Sequence, residues 1–167
     1  MPYIDLSING TEINLDADGD FVSSITGPAN YSMSLQGNWS RIVNNGTTPS
    51  TTGTLADGYN QISVDSWTNL KERSAYRGVN LIHDHMKTHL PNFTGLDFSL
   101  TTNIDVEGEC NAFYDGNSVN FFDAGGGCNS TALIADVVYH EYGHGINDFF
   151  YQSLGSFFQN GAMNEGY

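Results

Sequence analysis

The sequence predicts an α+β protein. Apolar and polar residues alternate up to residue 62 and again over residues 98–123, and this period of two is that of β-strands. Between and after these blocks, apolar residues recur every three or four positions, which is the period of an amphipathic helix. Because the strands and the helices form separate blocks, the α+β class is favoured over a regular alternation of strand and helix.

The first block consists of short strands joined by turns. Residues 4–8 alternate between apolar and polar, and the dipeptide Asn9-Gly10 marks a turn. The stretch near residues 44–62 begins with small, polar residues, so we expect a flexible linker there. We therefore predict a β-rich module of residues 1–62 that includes this linker, followed by a second unit of residues 63–167.

The second unit begins with a helix. Apolar residues at helical spacing run from Ser66 to Leu90, and Pro91 ends the pattern. Strands follow, with a turn at residues 115–117. A second helix is predicted to begin near Ser130 or Thr131.

The chain is strongly acidic. It carries 5 Lys and Arg residues against 19 Asp and Glu residues, which gives a formal net charge of −14. Such a surface repels phosphate backbones and anionic lipids, so we expect no nucleic-acid or membrane partner. No apolar run reaches the roughly 20 residues of a membrane span. The excess of acidic over basic residues is typical of a soluble secreted protein. Maintaining solubility is the simplest role of this negative charge.

The chain has two cysteines, Cys110 and Cys128. They form no Cys-x-x-Cys pair and have no third sulfur nearby, so a cysteine-rich zinc site is not expected. A disulfide between them is the favoured state, and two free buried thiols are the alternative. A disulfide implies an oxidising, extracellular compartment.

The most specific motif is His-Glu-x-x-His at residues 140–144, within the second helical pattern. Residues four apart lie on one face of a helix, so His140 and His144 can converge on a single metal ion. Imidazole and carboxylate ligands that leave one position for water are typical of catalytic zinc. Glu141 stands beside that water as its general base, and Glu165 is available as the third ligand.

Two other patterns have simpler interpretations. His85 and His89 are also four residues apart, but no glutamate stands between them and no third ligand is evident. A solvated or packed helix face is therefore favoured for them. The acidic run at residues 16–20 resembles the start of a calcium loop, but Phe21 stands where that loop requires glycine, so a hairpin turn is favoured.

An ordered set of motifs between residues 66 and 167 resembles the gluzincin metallopeptidases, and the fungalysin-like secreted peptidases more closely than thermolysin. The set comprises Cys-Asn-Ala-Phe-Tyr at residues 110–114, Asn-Phe-Phe at 120–122, Cys128, Asp136, the His-Glu-x-x-His motif and Asn-Glu-Gly at 164–166. This order is more discriminating than the five-residue motif alone. The resemblance implies the N-terminal lobe of such a peptidase, in which a mixed sheet with an edge strand accompanies the active-site helix.

The resemblance also implies a role for each matching residue. His140, His144 and Glu165 would ligate zinc, and Glu141 would be the general base and then the proton donor. Asp136 resembles a calcium ligand of the family.

The resemblance places the substrate on an edge strand. Asn111 and Ala112 would pair there with the backbone of a peptide or protein substrate, because an unpaired strand edge accepts an extended peptide. A simple turn-forming role is the alternative for Asn111.

The end of the chain departs from the family pattern. It stops two residues after Glu165, whereas in the family a helical C-terminal lobe follows and stabilises the oxyanion. We therefore expect a truncated lobe whose partner is the C-terminal lobe of the same protein. The predicted function is that of a secreted zinc-dependent endopeptidase. The alternative is a catalytically inactive fragment that serves as a binding or assembly module.

Overall fold

The computed structural model describes residues 1–157 and 161–165, which form a mixed β-sheet and two long helices. The strands are β1 (Ile4–Ile8), β2 (Thr11–Asn14), β3 (Ala29–Gly37), β4 (Ser40–Asn44), β5 (Ser50–Leu55), β6 (Leu100–Val106), β7 (Ala112–Tyr114) and β8 (Ser118–Phe122). The helices are α1 (Leu70–His89), α2 (Ala135–Ser153) and the short α3 (Gly161–Glu165), with 3₁₀ turns at Val64–Ser66 and Thr131–Leu133. The predicted α+β class is confirmed.

The strands follow the order β2-β1-β3-β4-β6-β8-β7, and β5 also pairs with β3. The β4–β6 and β6–β8 pairs are parallel, whereas the other pairs are antiparallel, so the sheet is mixed. Within the described part of the chain, β7 has β8 as its only neighbouring strand. The outer side of β7 is therefore an open edge.

The prediction of a flexible connection is wrong for residues 50–55, which form β5. This strand pairs with β3 from Ala29 opposite Leu55 to Ser34 opposite Ser50. Its sequence is polar because only Leu55 is buried, so local composition does not distinguish this strand from a linker. Strand β4, from the predicted β-rich module, pairs in parallel with β6 of the second unit. The division of the chain near residue 62 stays a prediction.

Helix α1 begins at Leu70 rather than at the predicted Ser66, because Asn69 caps it. The Glu72 backbone N–H donates to Asn69 Oδ1 at 3.0 Å, and the Asn69 N–H donates to Glu72 Oε2 at 2.7 Å. This reciprocal capping box satisfies two helix-end donors. The Glu72 carboxylate also accepts a hydrogen bond from Asn44 Nδ2 at 2.9 Å, which attaches the start of α1 to the end of β4.

Helix α2 packs closely on α1. Gly78 of α1 faces Val138 of α2, and a Cβ atom at residue 78 would lie 2.7 Å from Val138 Cγ1, so only glycine permits this approach. The helix begins at Ala135, later than the predicted start at residues 130–131. The Ser130 hydroxyl donates to the Phe122 carbonyl at 3.2 Å, so it does not cap the helix, and a 3₁₀ turn comes first.

A buried histidine lies where α1 meets α2. His83 is 1% exposed, and its ring stacks on Trp39 with a centroid distance of 3.8 Å. Its Nε2 atom lies 3.1 Å from Asp97 Oδ1, and Lys87 Nζ lies 2.8 Å from Asp97 Oδ2. Burial lowers the pKa of His83, and the nearby carboxylates of Asp97 and Asp84 offset only part of this effect. The folded protein therefore disfavours the protonated form of this imidazole.

The burial of His83 makes the free energy of unfolding depend on pH. As the pH falls below about 6.5, the unfolded chain binds a proton at residue 83 before the folded chain does, so the free energy of unfolding decreases. The loss continues down to the lowered folded-state pKa and then levels off. Denaturant unfolding of wild type at pH 7.5 and 5.5 should show this loss, and His83→Gln should reduce it. The exposed His85→Gln serves as the control. An equal pH dependence in wild type and His83→Gln would contradict the interpretation.

Candidate metal centre

Helix α2 places two imidazoles at one end of a cleft. His140 and His144 lie one turn apart, with their rings edge-on at a centroid distance of 4.5 Å and their Nε2 atoms 3.1 Å apart. Glu165, in α3, brings its Oε2 atom to 3.2 Å from His140 Nε2 and 3.8 Å from His144 Nε2. The three residues predicted as metal ligands therefore lie together. Gly166 of the Asn-Glu-Gly motif lies outside the described residues.

These three atoms fit a tetrahedral zinc ion. Ligand atoms at the usual zinc distances of 2.0–2.2 Å are about 3.3 Å apart in a tetrahedron, close to the three separations found here. Two imidazole nitrogens facing each other at 3.1 Å also suit a shared cation. In the described part of the chain, this is the only group of three or more His, Cys, Asp or Glu side chains with such closely spaced ligand atoms.

Glu141 is buried beside the ligand group without belonging to it. Its side chain lies on the inner face of α2, and the residue is only 5% exposed. Burial raises the pKa of Glu141, whereas the charges of His144 and His140 and a hydrogen bond from the Tyr114 backbone N–H lower it. The net direction is upward, which makes the carboxylate a stronger base than an exposed glutamate.

Tyr114 connects β7 to helix α2 and was not identified as a site residue from the sequence. Besides its N–H bond to Glu141, its hydroxyl donates to Asp148 Oδ2 at 3.2 Å. Asp148 is itself held by Gln152 Nε2 at 2.7 Å. Asp148 follows His144 by four residues, so the helical spacing of the motif could have indicated that it borders the cleft. No local pattern indicates the role of Tyr114.

Asn111 and Ala112 lie where the predicted edge strand begins. Strand β7 starts at Ala112, and the Asn111 carbonyl accepts hydrogen bonds from the Phe122 N–H at 3.3 Å and the Thr131 hydroxyl at 2.9 Å. The Thr131 bond, which the sequence did not suggest, ties the strand to the turn before α2. Both Asn111 and Ala112 line a cavity of about 800 Å³ that also contains the three candidate ligands. The metal group and the strand edge therefore share one cleft.

Asp136 also lines this cavity, in the first turn of α2. Its carboxylate is exposed, and within residues 1–157 and 161–165 it belongs to no group of three or more closely spaced His, Cys, Asp or Glu side chains. Its predicted role as a calcium ligand stays a prediction.

The predicted disulfide between Cys110 and Cys128 is present. It joins the residue two positions before β7 to the loop that precedes the 3₁₀ turn and α2. Together with the Thr131 bond, it attaches the strand edge to the start of the candidate active-site helix.

The chain matches no model of a known protein family, and no curated protein sequence matches it significantly. Among the described helices, none combines the length and apolarity that crossing a lipid bilayer requires. The geometry of the cleft is therefore the basis for assigning a function.

Removing the disulfide should destabilise the protein. The two cysteines are 18 residues apart, and closing a loop of this size contributes about 3 kcal/mol in the chain-entropy model. The Cys110→Ala/Cys128→Ala variant should therefore lose about this much unfolding free energy in denaturant titrations. Hydrogen exchange should also become faster at residues 112–114. Unchanged stability and unchanged exchange in β7 would show that the strand does not depend on the bond.

Proposed function

We propose that this protein is a secreted zinc-dependent endopeptidase. The observation that carries the proposal is the convergence of His140 Nε2, His144 Nε2 and Glu165 Oε2 within 3.8 Å of one another, beside the buried Glu141. Three protein ligands leave a fourth position on zinc for water, as in catalytic rather than structural sites. A purely structural site has no use for an additional buried carboxylate next to its ligands.

The proposed chemistry divides between the ion and the protein. Bound zinc supplies Lewis acidity, which lowers the pKa of water and polarises a peptide carbonyl. Glu141 accepts the proton of the attacking water and passes it to the nitrogen of the departing amine. Burial and the Tyr114 N–H hydrogen bond support this role, because they hold the carboxylate in one orientation and limit its hydration. His140 and His144 would hold the ion and would not exchange protons in this scheme.

The proposed substrate is an extended segment of a protein. Strand β7 has an open edge along the cleft, and a peptide can add to such an edge through main-chain hydrogen bonds. Ala112 would present its backbone groups at the start of this edge, and Asn111, whose carbonyl already accepts two hydrogen bonds, would contact the substrate from the lining of the cleft. Main-chain pairing positions the scissile bond without requiring a particular substrate sequence, which suits an endopeptidase.

The proposal extends to the class of fold. A mixed sheet that ends in an edge strand, followed by a helix carrying His-Glu-x-x-His, is the arrangement implied by the resemblance to the N-terminal lobe of thermolysin-like and fungalysin-like peptidases. In such an enzyme the C-terminal lobe of the same protein closes the other side of the cleft and stabilises the oxyanion. The disulfide supports secretion, because such bonds persist in oxidising compartments.

Metal analysis tests the ligand assignment. After dialysis to remove loosely bound ions, the wild-type protein should retain one zinc per chain. His144→Ala should lose it, because two remaining ligands hold zinc much more weakly than three. Glu141→Gln is the matched control and should retain the zinc, because Glu141 is adjacent to the site but is not a ligand. Full zinc content in His144→Ala would refute the assignment.

Peptidase activity tests the role of Glu141. In the full-length natural protein, Glu141→Gln should reduce kcat for casein or a fluorogenic peptide by about 10²–10⁴-fold with zinc retained, because the amide has the shape of the carboxylate without its basicity. Glu12→Gln, an exposed change on β2, should leave activity unchanged. Activity within a few-fold of wild type would show that Glu141 is not the base. Zinc binding without hydrolysis by the wild-type protein would favour the alternative of a binding module.

A further inference from the structure

A second pair of histidines lies four residues apart at the exposed end of α1. The rings of His85 and His89 have centroids 4.7 Å apart and an interplanar angle of 67°. The corresponding values for His140 and His144 are 4.5 Å and 77°, so the two pairs have similar ring separations and ring angles. Both His85 and His89 are exposed, and within the described residues neither ring has a hydrogen-bond or ion-pair partner. Their nitrogen lone pairs are therefore available to solvent ions.

The electrostatic surroundings favour a cation at this position. His89 is the last residue of α1, and the unpaired carbonyls at a helix C-terminus carry partial negative charge. Lys87, the other basic residue of this turn, is held by Asp97 at 2.8 Å and donates to the Phe93 carbonyl. The chain as a whole carries a net charge of −14, which raises the local concentration of cations.

We propose that His85 and His89 form a second, solvent-exposed binding site for a divalent transition metal ion. Two imidazole ligands, with water in the remaining positions, suit Cu²⁺ best, followed by Ni²⁺ and Zn²⁺. Among the described residues, no third His, Cys, Asp or Glu ligand joins this pair, so the site would bind an ion without a base to activate water. The proposal does not depend on the endopeptidase function, because neither histidine lies in the cleft.

Such a site has a structural consequence. An ion bound to both rings links residues 85 and 89 across the last turn of α1, where a helix otherwise frays. Met86, in the same turn, belongs to the buried core. Binding would therefore stabilise the folded state in a metal-dependent way, because the site requires the helical spacing that the unfolded chain lacks.

Copper titration tests the site. The purified protein, dialysed to remove loosely bound ions, is titrated with Cu²⁺ in a non-coordinating buffer by isothermal calorimetry. His85→Ala and His89→Ala should each weaken one copper equivalent at least about tenfold, because a single imidazole loses the advantage of a preformed chelate. Both positions are exposed and helical, so alanine should not disturb folding. Thr88→Ala, between the two histidines, is the control and should bind copper like the wild type.

Electron paramagnetic resonance distinguishes this site from other copper sites. The wild-type Cu²⁺ spectrum should show coupling to two imidazole nitrogens that disappears in the His85→Ala/His89→Ala variant. Equal copper affinity and an unchanged spectrum in that variant would overturn the proposal, because the ion would then bind elsewhere. Copper uptake that releases a stoichiometric amount of zinc and is unaffected by His89→Ala would overturn it as well, because it would identify the first site as the copper site.

Discussion

The rotation of helix α2 about its axis is the constraint on which the candidate site depends. Successive residues of a helix point about 100° apart, so His140 and Glu141 necessarily face different directions. The packing of Tyr142 and Val138 in the core turns Glu141 inward and leaves the two imidazoles at the cleft. The close approach at Gly78 allows this packing. A rotation by one residue in one direction would move the imidazoles into buried positions, and a rotation in the other direction would move the base to the part-exposed position of His140.

Strand β7 fixes the position of helix α2 relative to the cleft. Tyr114 contacts α2 twice, through its N–H to Glu141 and its hydroxyl to Asp148. The hydrogen bond between Thr131 and Asn111 and the disulfide attach the start of the strand to the segment before α2. The same three-residue strand therefore contacts the proposed base and, in the proposed function, would pair with the substrate. Movement of the strand would alter both proposed roles together.

The two histidine pairs show that the spacing of two histidines on a helix does not by itself indicate a catalytic metal site. Each pair lies one turn apart on a helix, with ring centroids 4.5 and 4.7 Å apart. The pair on α2 gains a carboxylate from α3 and has a buried glutamate beside it, whereas the pair on α1 faces solvent. A third ligand and a desolvated base distinguish a candidate catalytic centre from a surface chelate. The third ligand comes from α3, and the burial of Glu141 comes from the packing of α2 in the core. The spacing of the two histidines specifies neither.

The sequence by itself determined the α+β class, the presence of the two long helices, a disulfide as the favoured state of the two cysteines, and the position of His140 and His144 one turn apart on one helix face. The class, the helices and the histidine positions follow from local periodicity, and the disulfide follows because the chain has only two cysteines. The sequence did not reveal β5 at residues 50–55, the late start of α2 or the role of Tyr114. Only the tertiary structure decided these, together with the approach of Glu165 to the histidines. The reason is physical: local periodicity specifies which way a side chain points from its own element, but its partners come from distant segments brought together by burial of the shared core.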